Sequence, residues 1–337
     1  MKKFLKVFYI VFFILALVSS KASAAPTYVD VFSIENEEGH VHGLTFSSDG
    51  TVVYIVGHGA DRVYQYPLDT AWDISSITSG SSGNLEVLVD GKNGFDISGL
   101  SDPRDIKFNT EGTRLFVLER TRDTDRVYEW ELATAWDVTT GSYTTGNYFL
   151  IAEDSKPNGF AFNPDGTKMF VLGQNNAKVF QYSLTTSFDI TTAAYTGNSF
   201  GISSAGSNPE GLEFSSDGTQ MFVAGYSNRT IYQYPLTTAW DITTASYTTG
   251  DSYYLTEVSH PEELVFSSDG SKMFLVDKGS EDISEFTLSC YYGVVNCIDP
   301  TSDKDDVASV ESQTESAKQL IQHTTYPVLN RMEWLRR

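Results

Sequence analysis

Short apolar segments alternate with tight polar turns along most of this chain. In residues 209–242 the apolar groups L-E-F, M-F-V-A and T-I-Y-Q-Y-P-L are separated by S-S-D-G-T and by a second polar stretch. An Asp-Gly pair supplies the positive φ that a hairpin turn needs, and aromatic and β-branched residues favour strands. The pattern therefore predicts strands over 212–214, 221–224 and 230–236, with a fourth over 253–258 that corresponds to 84–90, 148–152 and 199–203 elsewhere in the chain.

The same pattern occurs five times. An acidic residue before the turn glycine marks each copy, at Asp49, Glu111, Asp165, Asp217 and Asp269. The intervals are 62, 54, 52 and 52 residues, and a period near fifty residues indicates a propeller, a solenoid or an array. The longer first interval predicts an insertion within 79–83 or 91–99.

Four antiparallel strands per repeat correspond to one propeller blade. The groups M-F-V-A and I-Y-Q-Y do not alternate cleanly, which is typical of strands buried on both faces between two neighbouring blades. Residues 29–34 resemble a fourth strand that the fifth repeat lacks, and pairing the two would close the ring and remove exposed edges. We predict an all-β, five-bladed β-propeller of four-stranded antiparallel blades, closed by the N-terminal strand and followed by a short helical C-terminal tail.

One aromatic residue recurs at an equivalent position in four repeats: Trp72, Trp136, Phe188 and Trp240. These residues are expected to pack between blades, and an aromatic platform for a ligand is the alternative.

The repeated motifs F-S-S-D-G-T-Q-M-F-V, V-Y-Q-Y and T-A-W-D-I-T-T-A-S-Y resemble the extracellular bacterial propeller repeats of the YVTN and NHL type. The resemblance covers about residues 27–290 of the chain. It implies an extracellular propeller but no particular activity, because propellers host both binding and catalysis.

The N-terminus has the pattern of a secretory signal peptide. Lys2, Lys3 and Lys6 precede an apolar run over 7–18, and A-S-A follows at 22–24. We expect cleavage before Ala25, since the run is shorter than the ~20 apolar residues of a transmembrane helix. The sequence therefore predicts a bacterial protein that is secreted, periplasmic or at the cell surface, with its propeller over 25–297.

The C-terminal part changes character after the last repeat. Cys290 and Cys297 are predicted to form a disulfide, because the chain is exported and holds two cysteines separated by a short loop. Residues 298–306 resemble a polar linker, and 307–337 are predicted to be a helical tail. This tail is similar to the helical linker that joins a secreted passenger to an outer-membrane barrel, and a mobile or amphipathic tail is the alternative.

The formal net charge is −21. Removal of residues 1–24 takes away four lysines and no acidic residue, so the charge of the mature chain is −25. Such a surface repels nucleic acid and anionic lipid and favours neutral glycans, cationic protein surfaces or divalent cations, although acidity also serves solubility alone. We expect a monomeric propeller.

The side chains whose chemical character changes from repeat to repeat lie at the start of each first strand. Equivalent positions at the predicted channel mouth form a candidate ligand-binding set of His42, Arg104, Asn158, Glu210 and Glu262. Closure of the fifth blade on the first would also bring together a candidate metal set of His40, His260 and Glu263. Imidazole and carboxylate ligands suit a divalent cation, calcium or zinc. The alternative is that these residues only hydrate the channel mouth.

We expect an exported, noncatalytic propeller that binds a glycan or protein ligand in the cell envelope. A first alternative is a divalent-metal-dependent, lactonase-like hydrolase at the channel mouth, because Glu210 and Asn158 are similar to channel residues that hold a cation in propeller lactonases. A second alternative is a truncated passenger of a protein anchored in the outer membrane.

Overall fold

Each repeat folds into a four-stranded antiparallel sheet in the computed structural model, which describes residues 25–34, 40–59, 62–77, 94–97, 99–121, 124–206, 208–289 and 291–294. The described residues form five such sheets. The first strands of successive sheets lie next to one another around a common channel. The prediction of an all-β, five-bladed propeller is confirmed.

The strands follow the order of the repeats. Strand β1 (Thr27–Ser33) precedes blade 1, which consists of β2 (Val41–Phe46), β3 (Val52–Gly57), β4 (Arg62–Pro67) and β5 (Phe95–Asp96). Blade 2 consists of β6 (Pro103–Phe108), β7 (Arg114–Glu119), β8 (Arg126–Leu132) and β9 (Gly141–Leu150). Blade 3 consists of β10 (Pro157–Phe162), β11 (Lys168–Gly173), β12 (Lys178–Leu184) and β13 (Ala193–Gly201).

The last two blades complete the ring. Blade 4 consists of β14 (Pro209–Phe214), β15 (Gln220–Gly225), β16 (Thr230–Pro235) and β17 (Ser252–Tyr254). Blade 5 consists of β18 (Pro261–Phe266), β19 (Lys272–Asp277) and β20 (Asp282–Thr287), with β1 as its fourth strand. Strand β1 pairs with β20 from Thr27↔Thr287 to Ser33↔Asp282, so the predicted closure by the N-terminal strand is confirmed.

The fourth strands differ in extent from the prediction. Strands β9 and β13 begin earlier than the predicted 148–152 and 199–203, whereas β17 ends earlier than the predicted 253–258. Blade 1 has the short β5 as its fourth strand, and the predicted strand over 84–90 lies outside the described residues. Outer strands carry weaker apolar patterns because one of their edges faces solvent, so the sequence defines their ends poorly.

The Asp-Gly turn joins the first two strands of a blade. In blade 4 the Asp217 carboxylate accepts hydrogen bonds from the Ser215 hydroxyl at 2.6 Å and from the Thr219 amide at 2.9 Å. The following Gly218 has φ +70°, in the left-handed region that favours glycine. The acidic turn residues are thus accounted for by hairpin geometry.

The recurring aromatic residue covers this turn. Trp240 has φ +58° and donates its amide to the Gly218 carbonyl at 3.0 Å, and a Cβ on Gly218 would overlap the indole. The ring also faces Phe214 of its own blade and Phe170 of blade 3. Packing between blades is confirmed, and Tyr292 supplies the fifth equivalent ring, over Gly270.

The aspartate after the aromatic residue caps a short 3-10 helix. Asp241 accepts a hydrogen bond from the Thr243 amide at 3.0 Å, and Ile242 is fully buried. The short 3-10 helices are η1 (Ile74–Ser76), η2 (Val138–Thr140), η3 (Ile190–Thr192), η4 (Ser203–Ala205) and η5 (Ile242–Thr244).

Adjacent blades are also joined by a repeated polar contact. A side chain of the second strand donates to the backbone carbonyl of the aromatic residue in the next blade. The pairs are Tyr54 and Trp136 (2.5 Å), Arg114 and Phe188 (3.0 Å), Lys168 and Trp240 (2.8 Å), and Lys272 and Trp72 (2.6 Å). The last pair links blade 5 to blade 1, so the same contact supports the closure of the ring.

The apolar core lies between the blades. Each of the five described clusters of buried residues draws on two neighbouring blades, for example blades 5 and 1 through Phe274 and Ile55. Within the described ranges no helix is long and apolar enough to cross a membrane. The predicted signal peptide, the linker over 298–306, the tail over 307–337 and the Cys290–Cys297 disulfide lie outside the described residues.

Candidate functional site

The five candidate ligand-binding residues occupy the second position of each first strand. The register of each first strand shifts at this position against its neighbour, as in a β-bulge. Bulges turn a side chain away from the regular pleat and are frequent beside active sites. His42, Arg104, Asn158, Glu210 and Glu262 are all buried, with exposed fractions from 4% to 7%.

Three of these residues form one contact chain. His42 Nδ1 lies 2.9 Å from Glu262 Oε2, and Arg104 Nη1 lies 2.8 Å from both ring nitrogens of His42, against the face of the ring. Burial lowers the pKa of His42 to about 4, against the opposing effect of Glu262, so the imidazole is neutral at neutral pH. The neutral ring donates its Nδ1–H to the Glu262 carboxylate. The predicted approach of blade 5 to blade 1 at this point is confirmed.

Glu262 is held as a carboxylate. Burial alone would raise its pKa, but the hydrogen bond from His42 and the charges of Lys278 and Arg104 lower it. Lys278 Nζ lies 3.2 Å from Glu262 Oε1, so each carboxylate oxygen faces a different donor. A partnered carboxylate of this kind stays ionised throughout the neutral range.

Glu210 has the opposite character. Burial, with the neighbouring charge of Glu262, raises the pKa of Glu210 to about 8, against the effect of Arg104 and Arg120. Its Oε1 accepts a hydrogen bond from the Gln174 amide at 3.1 Å. At neutral pH Glu210 is therefore a carboxylic acid with a proton to donate.

Arg120 is a site residue that the sequence did not reveal. Its Nε donates to Asp102 Oδ2 at 3.1 Å and its Nη1 donates to Asn158 Oδ1 at 2.8 Å. Asn158 in turn donates to the Pro209 carbonyl at 3.2 Å. The guanidinium is thus fixed by two blades instead of moving freely in solvent.

Arg120 belongs to a second circle of variable residues. The amide after each second strand bonds to the carbonyl before the first strand of the same blade, and this places a further side chain at the mouth. The five residues are His58, Arg120, Gln174, Tyr226 and Lys278. The sequence does contain a sign of this second circle. Each second strand ends in a two-residue group (V-G, L-E, L-G, A-G or V-D), and the residue that follows differs in chemistry from repeat to repeat.

The two circles enclose a cavity of about 790 Å³ at the channel mouth. Its walls include Arg104, Arg120, Lys278, Glu210 and Glu262. Ligand pockets for small molecules commonly have volumes of roughly 300–1,000 Å³. The cavity can therefore hold a small molecule in contact with both carboxyl groups.

The predicted metal set is not gathered at one point. His40 is exposed, lies 3.7 Å from the Glu281 carboxylate and stacks on His58. His260 faces Tyr226 and the Ser259 hydroxyl. In the part of the chain that the structure describes, no group of three or more His, Cys, Asp or Glu side chains is arranged to hold a metal ion.

Glu263 does not lie at the mouth, which corrects its predicted position. It is 1% exposed and its Oε1 lies 3.6 Å from Lys107 Nζ, in a second cluster with Asp105 and Glu213. Glu262 lines the cavity whereas Glu263 faces Lys107, so the two residues do not serve the same site. The carboxylates of this second cluster, foremost Asp105, raise the pKa of Lys107 although burial opposes the charge.

The oxygens that a cation would need are already engaged by cationic or amide donors. Glu262 faces His42 and Lys278, and the Asn158 oxygen faces Arg120. This donor set fits an anion better than a divalent cation. Calcium or zinc binding remains a prediction from the sequence.

Solved structures similar to this chain include proteins with lactonase names. The periplasmic gluconolactonase of Pseudomonas aeruginosa is 15% identical with a TM-score of 0.46, and the alignment covers 77% of this chain and 69% of that one. A candidate 6-phosphogluconolactonase of Bacteroides uniformis is 14% identical with a TM-score of 0.45, covering 75% of this chain and 68% of that one.

A protein of unknown function from Desulfotomaculum acetoxidans is also similar, at 14% identity and a TM-score of 0.43. The alignment covers 70% of this chain but 62% of that protein, which is less than two thirds of its length. No protein-family model matches the chain, and no curated protein matches its sequence.

The expectation of a noncatalytic binding scaffold is wrong on these findings. Similar solved structures bear the names of lactonases, which are enzymes and not binding scaffolds. At these low identities and TM-scores, the activities in those names belong to those proteins. The structure of this chain shows two buried carboxyl groups at one cavity, Glu210 and Glu262. The pKa of Glu210 is raised and the pKa of Glu262 is lowered.

Proposed function

We propose that the protein is a hydrolase of small esters or lactones, with its active site in the cavity at the channel mouth. The observation that carries the proposal is the pairing of protonated Glu210 with ionised Glu262 on neighbouring first strands. Carboxyl groups whose surroundings separate their pKa values are suited to act as a general acid and a general base.

In the proposed reaction Glu262 accepts a proton from a water molecule as the water oxygen bonds to the acyl carbon. The carbon–oxygen bond of the ester or lactone then breaks, and the leaving alkoxide takes the proton of Glu210. A proton passes from Glu262 back to Glu210 to restore the starting state. The products are the carboxylic acid and the alcohol, or a hydroxy acid in the case of a lactone.

The cationic residues support this chemistry by charge. Arg104 lies against His42, and Lys278 contacts Glu262 at the cavity, where Lys278 stabilises negative charge that develops on the acyl oxygen. His42 positions Glu262 through its Nδ1–H, so it acts as a positioning residue. Its low pKa keeps it from carrying a competing charge.

Two features of the sequence belong to the proposal as well. The signal-peptide pattern supports a location outside the cytoplasm, and the repeated motifs support membership in the YVTN and NHL type of propellers. A divalent cation at the mouth is a separate proposal within the same activity. Metal analysis of the purified protein and an assay in excess EDTA distinguish the two versions.

The test is a pH-indicator assay on a panel of esters and lactones. We expect kcat to fall as pH rises through about 8, where Glu210 loses its proton. Glu210→Gln and Glu262→Gln should each lower kcat by about 10²–10⁴-fold, whereas Glu257→Gln on the exposed surface should not. Hydrolysis that persists in Glu210→Gln, or no turnover of any member of the panel, would contradict the proposal.

A further inference from the structure

The charge of the cavity contrasts with the charge of the protein. The whole chain has a formal net charge of −21, yet four cationic side chains line the cavity: Arg104, Arg120, Lys156 and Lys278. They face three carboxyl groups, one of which, Glu210, is protonated at neutral pH. The lining is therefore positive, and a concave site with walls of low dielectric concentrates such a field.

Arg104 is the most deeply placed of these cations. Its side chain is buried, its Nη1 contacts His42, and the Asp102 carboxylate lies 3.7 Å from its Nε. The Nε is buried without a hydrogen-bond partner among the described residues. A guanidinium has five donors, and a buried donor without an acceptor costs free energy until one is supplied.

A second guanidinium stands close by. Burial, and next to it the charge of Arg120, lowers the pKa of Arg104, as is expected when two like charges are held together. Asp102 and the oxygen of Asn158 fix Arg120 in place, so its position costs little further entropy when a ligand binds. Paired, fixed guanidinium groups are the usual receptors for carboxylate and phosphate groups.

We propose that the cavity selects substrates that carry a permanent negative charge, a carboxylate or a phosphate group, which Arg104 and Arg120 bind while the acyl group faces Glu210 and Glu262. This inference rests on the proposed hydrolase and adds its substrate class. Lys278 lines the same cavity in contact with Glu262, and Lys156 is an exposed lining residue. The role of Asn158 is then to hold Arg120 in its anion-binding position.

The first experiment compares two esters with the same leaving group. Mono-4-nitrophenyl glutarate carries a carboxylate, and 4-nitrophenyl butanoate does not. We expect kcat/KM to be at least tenfold higher for the glutarate and to fall as salt is raised, because exposed and half-exposed charges are screened. Equal kcat/KM for the two esters, independent of salt, would overturn the proposed substrate class.

Variants identify the residues that bind the anion. Arg120→Gln should raise KM for the glutarate at least tenfold more than it raises KM for the butanoate. Lys178→Gln removes the same charge from an exposed position on β12 and should change neither value. An equal rise in KM for both esters in Arg120→Gln would indicate general damage to the site and contradict a specific anion contact.

Binding without turnover separates this inference from the proposed activity. Calorimetric titration with glutarate and with inorganic phosphate should give binding that Arg120→Gln weakens at least tenfold, and the tighter of the two identifies the preferred anion. Arg120-dependent anion binding in a protein that hydrolyses nothing would support the anion site and refute the hydrolase. Hydrolysis of the neutral ester with no binding of either anion would do the reverse.

Discussion

Replacement of Glu210 by glutamine should change how the stability of the protein depends on pH. Glu210 is 7% exposed and its pKa is raised from 4.5 to about 8, first by burial and then by the charge of Glu262. The folded state therefore holds one more proton than the unfolded state between these two pH values. By linkage, the free energy of unfolding falls as pH rises through this interval and levels off above it.

The magnitude follows from the same two values. The difference between 4.5 and about 8, at about 1.36 kcal/mol per pKa unit, corresponds to about 5 kcal/mol lost between pH 4.5 and pH 8. Glutamine keeps the oxygen that accepts from Gln174 but does not ionise, so Glu210→Gln should lack this loss.

Urea unfolding at pH 5 and pH 9, followed by tryptophan fluorescence, measures the effect. The wild-type protein should lose several kcal/mol more than Glu210→Gln between the two pH values, and Glu257→Gln, at an exposed position, should behave as wild type. Identical pH dependence of wild type and Glu210→Gln would refute the assignment of a protonated Glu210, and with it the general acid of the proposed reaction.

Two further predictions concern the scaffold. Gly218→Ala should destabilise the protein more than Gly197→Ala. Both glycines lie at positive φ, where an alanine costs about 1–2 kcal/mol, but a Cβ at Gly218 also overlaps the Trp240 ring, which adds about 1–3 kcal/mol. Equal losses of stability in thermal unfolding would argue against the ring contact. Lys107→Met should cost about 3–5 kcal/mol at pH 7, because it leaves buried carboxylates without their cation, and less at pH 5, where they bind protons in the folded state. Lys178→Met on the exposed face of β12 is the control.

The repeats made the fold predictable. Five copies of one pattern located the turns at the Asp-Gly pairs, and the unmatched strand before the first copy predicted the closure of blade 5. Comparison of the copies also located the five mouth residues, because their chemistry varies where the rest of the repeat does not. Tyr292 was missed because the fifth copy lacks the T-A-W-D-I motif that marks the other four aromatic positions.

The site was predicted less completely, for two physical reasons. The sequence placed Glu262 and Glu263 together, but the irregular start of β18 directs Glu262 to the cavity and Glu263 to Lys107. Arg120 and Lys278 reach the same mouth from the ends of second strands, so their positions in the sequence lie apart from the variable positions at the start of each first strand. The opposed pKa values of Glu210 and Glu262 depend on burial and neighbouring charges, which no spacing in the sequence reveals.

The pairing of β1 with β20 has a consequence for the order of folding. Thr27 and Thr287 are partners across nearly the whole length of the propeller, so this ladder has the longest loop to close. Contacts between residues distant in sequence form late, because closing the intervening loop costs conformational entropy before the contacts contribute favourable free energy. Until the last blade is made, β1 has no partner, and the edge of β20 is open to any other strand. The ring is therefore most exposed to misassembly between molecules just before it closes, and slow synthesis of blade 5 should favour domain-swapped or aggregated chains.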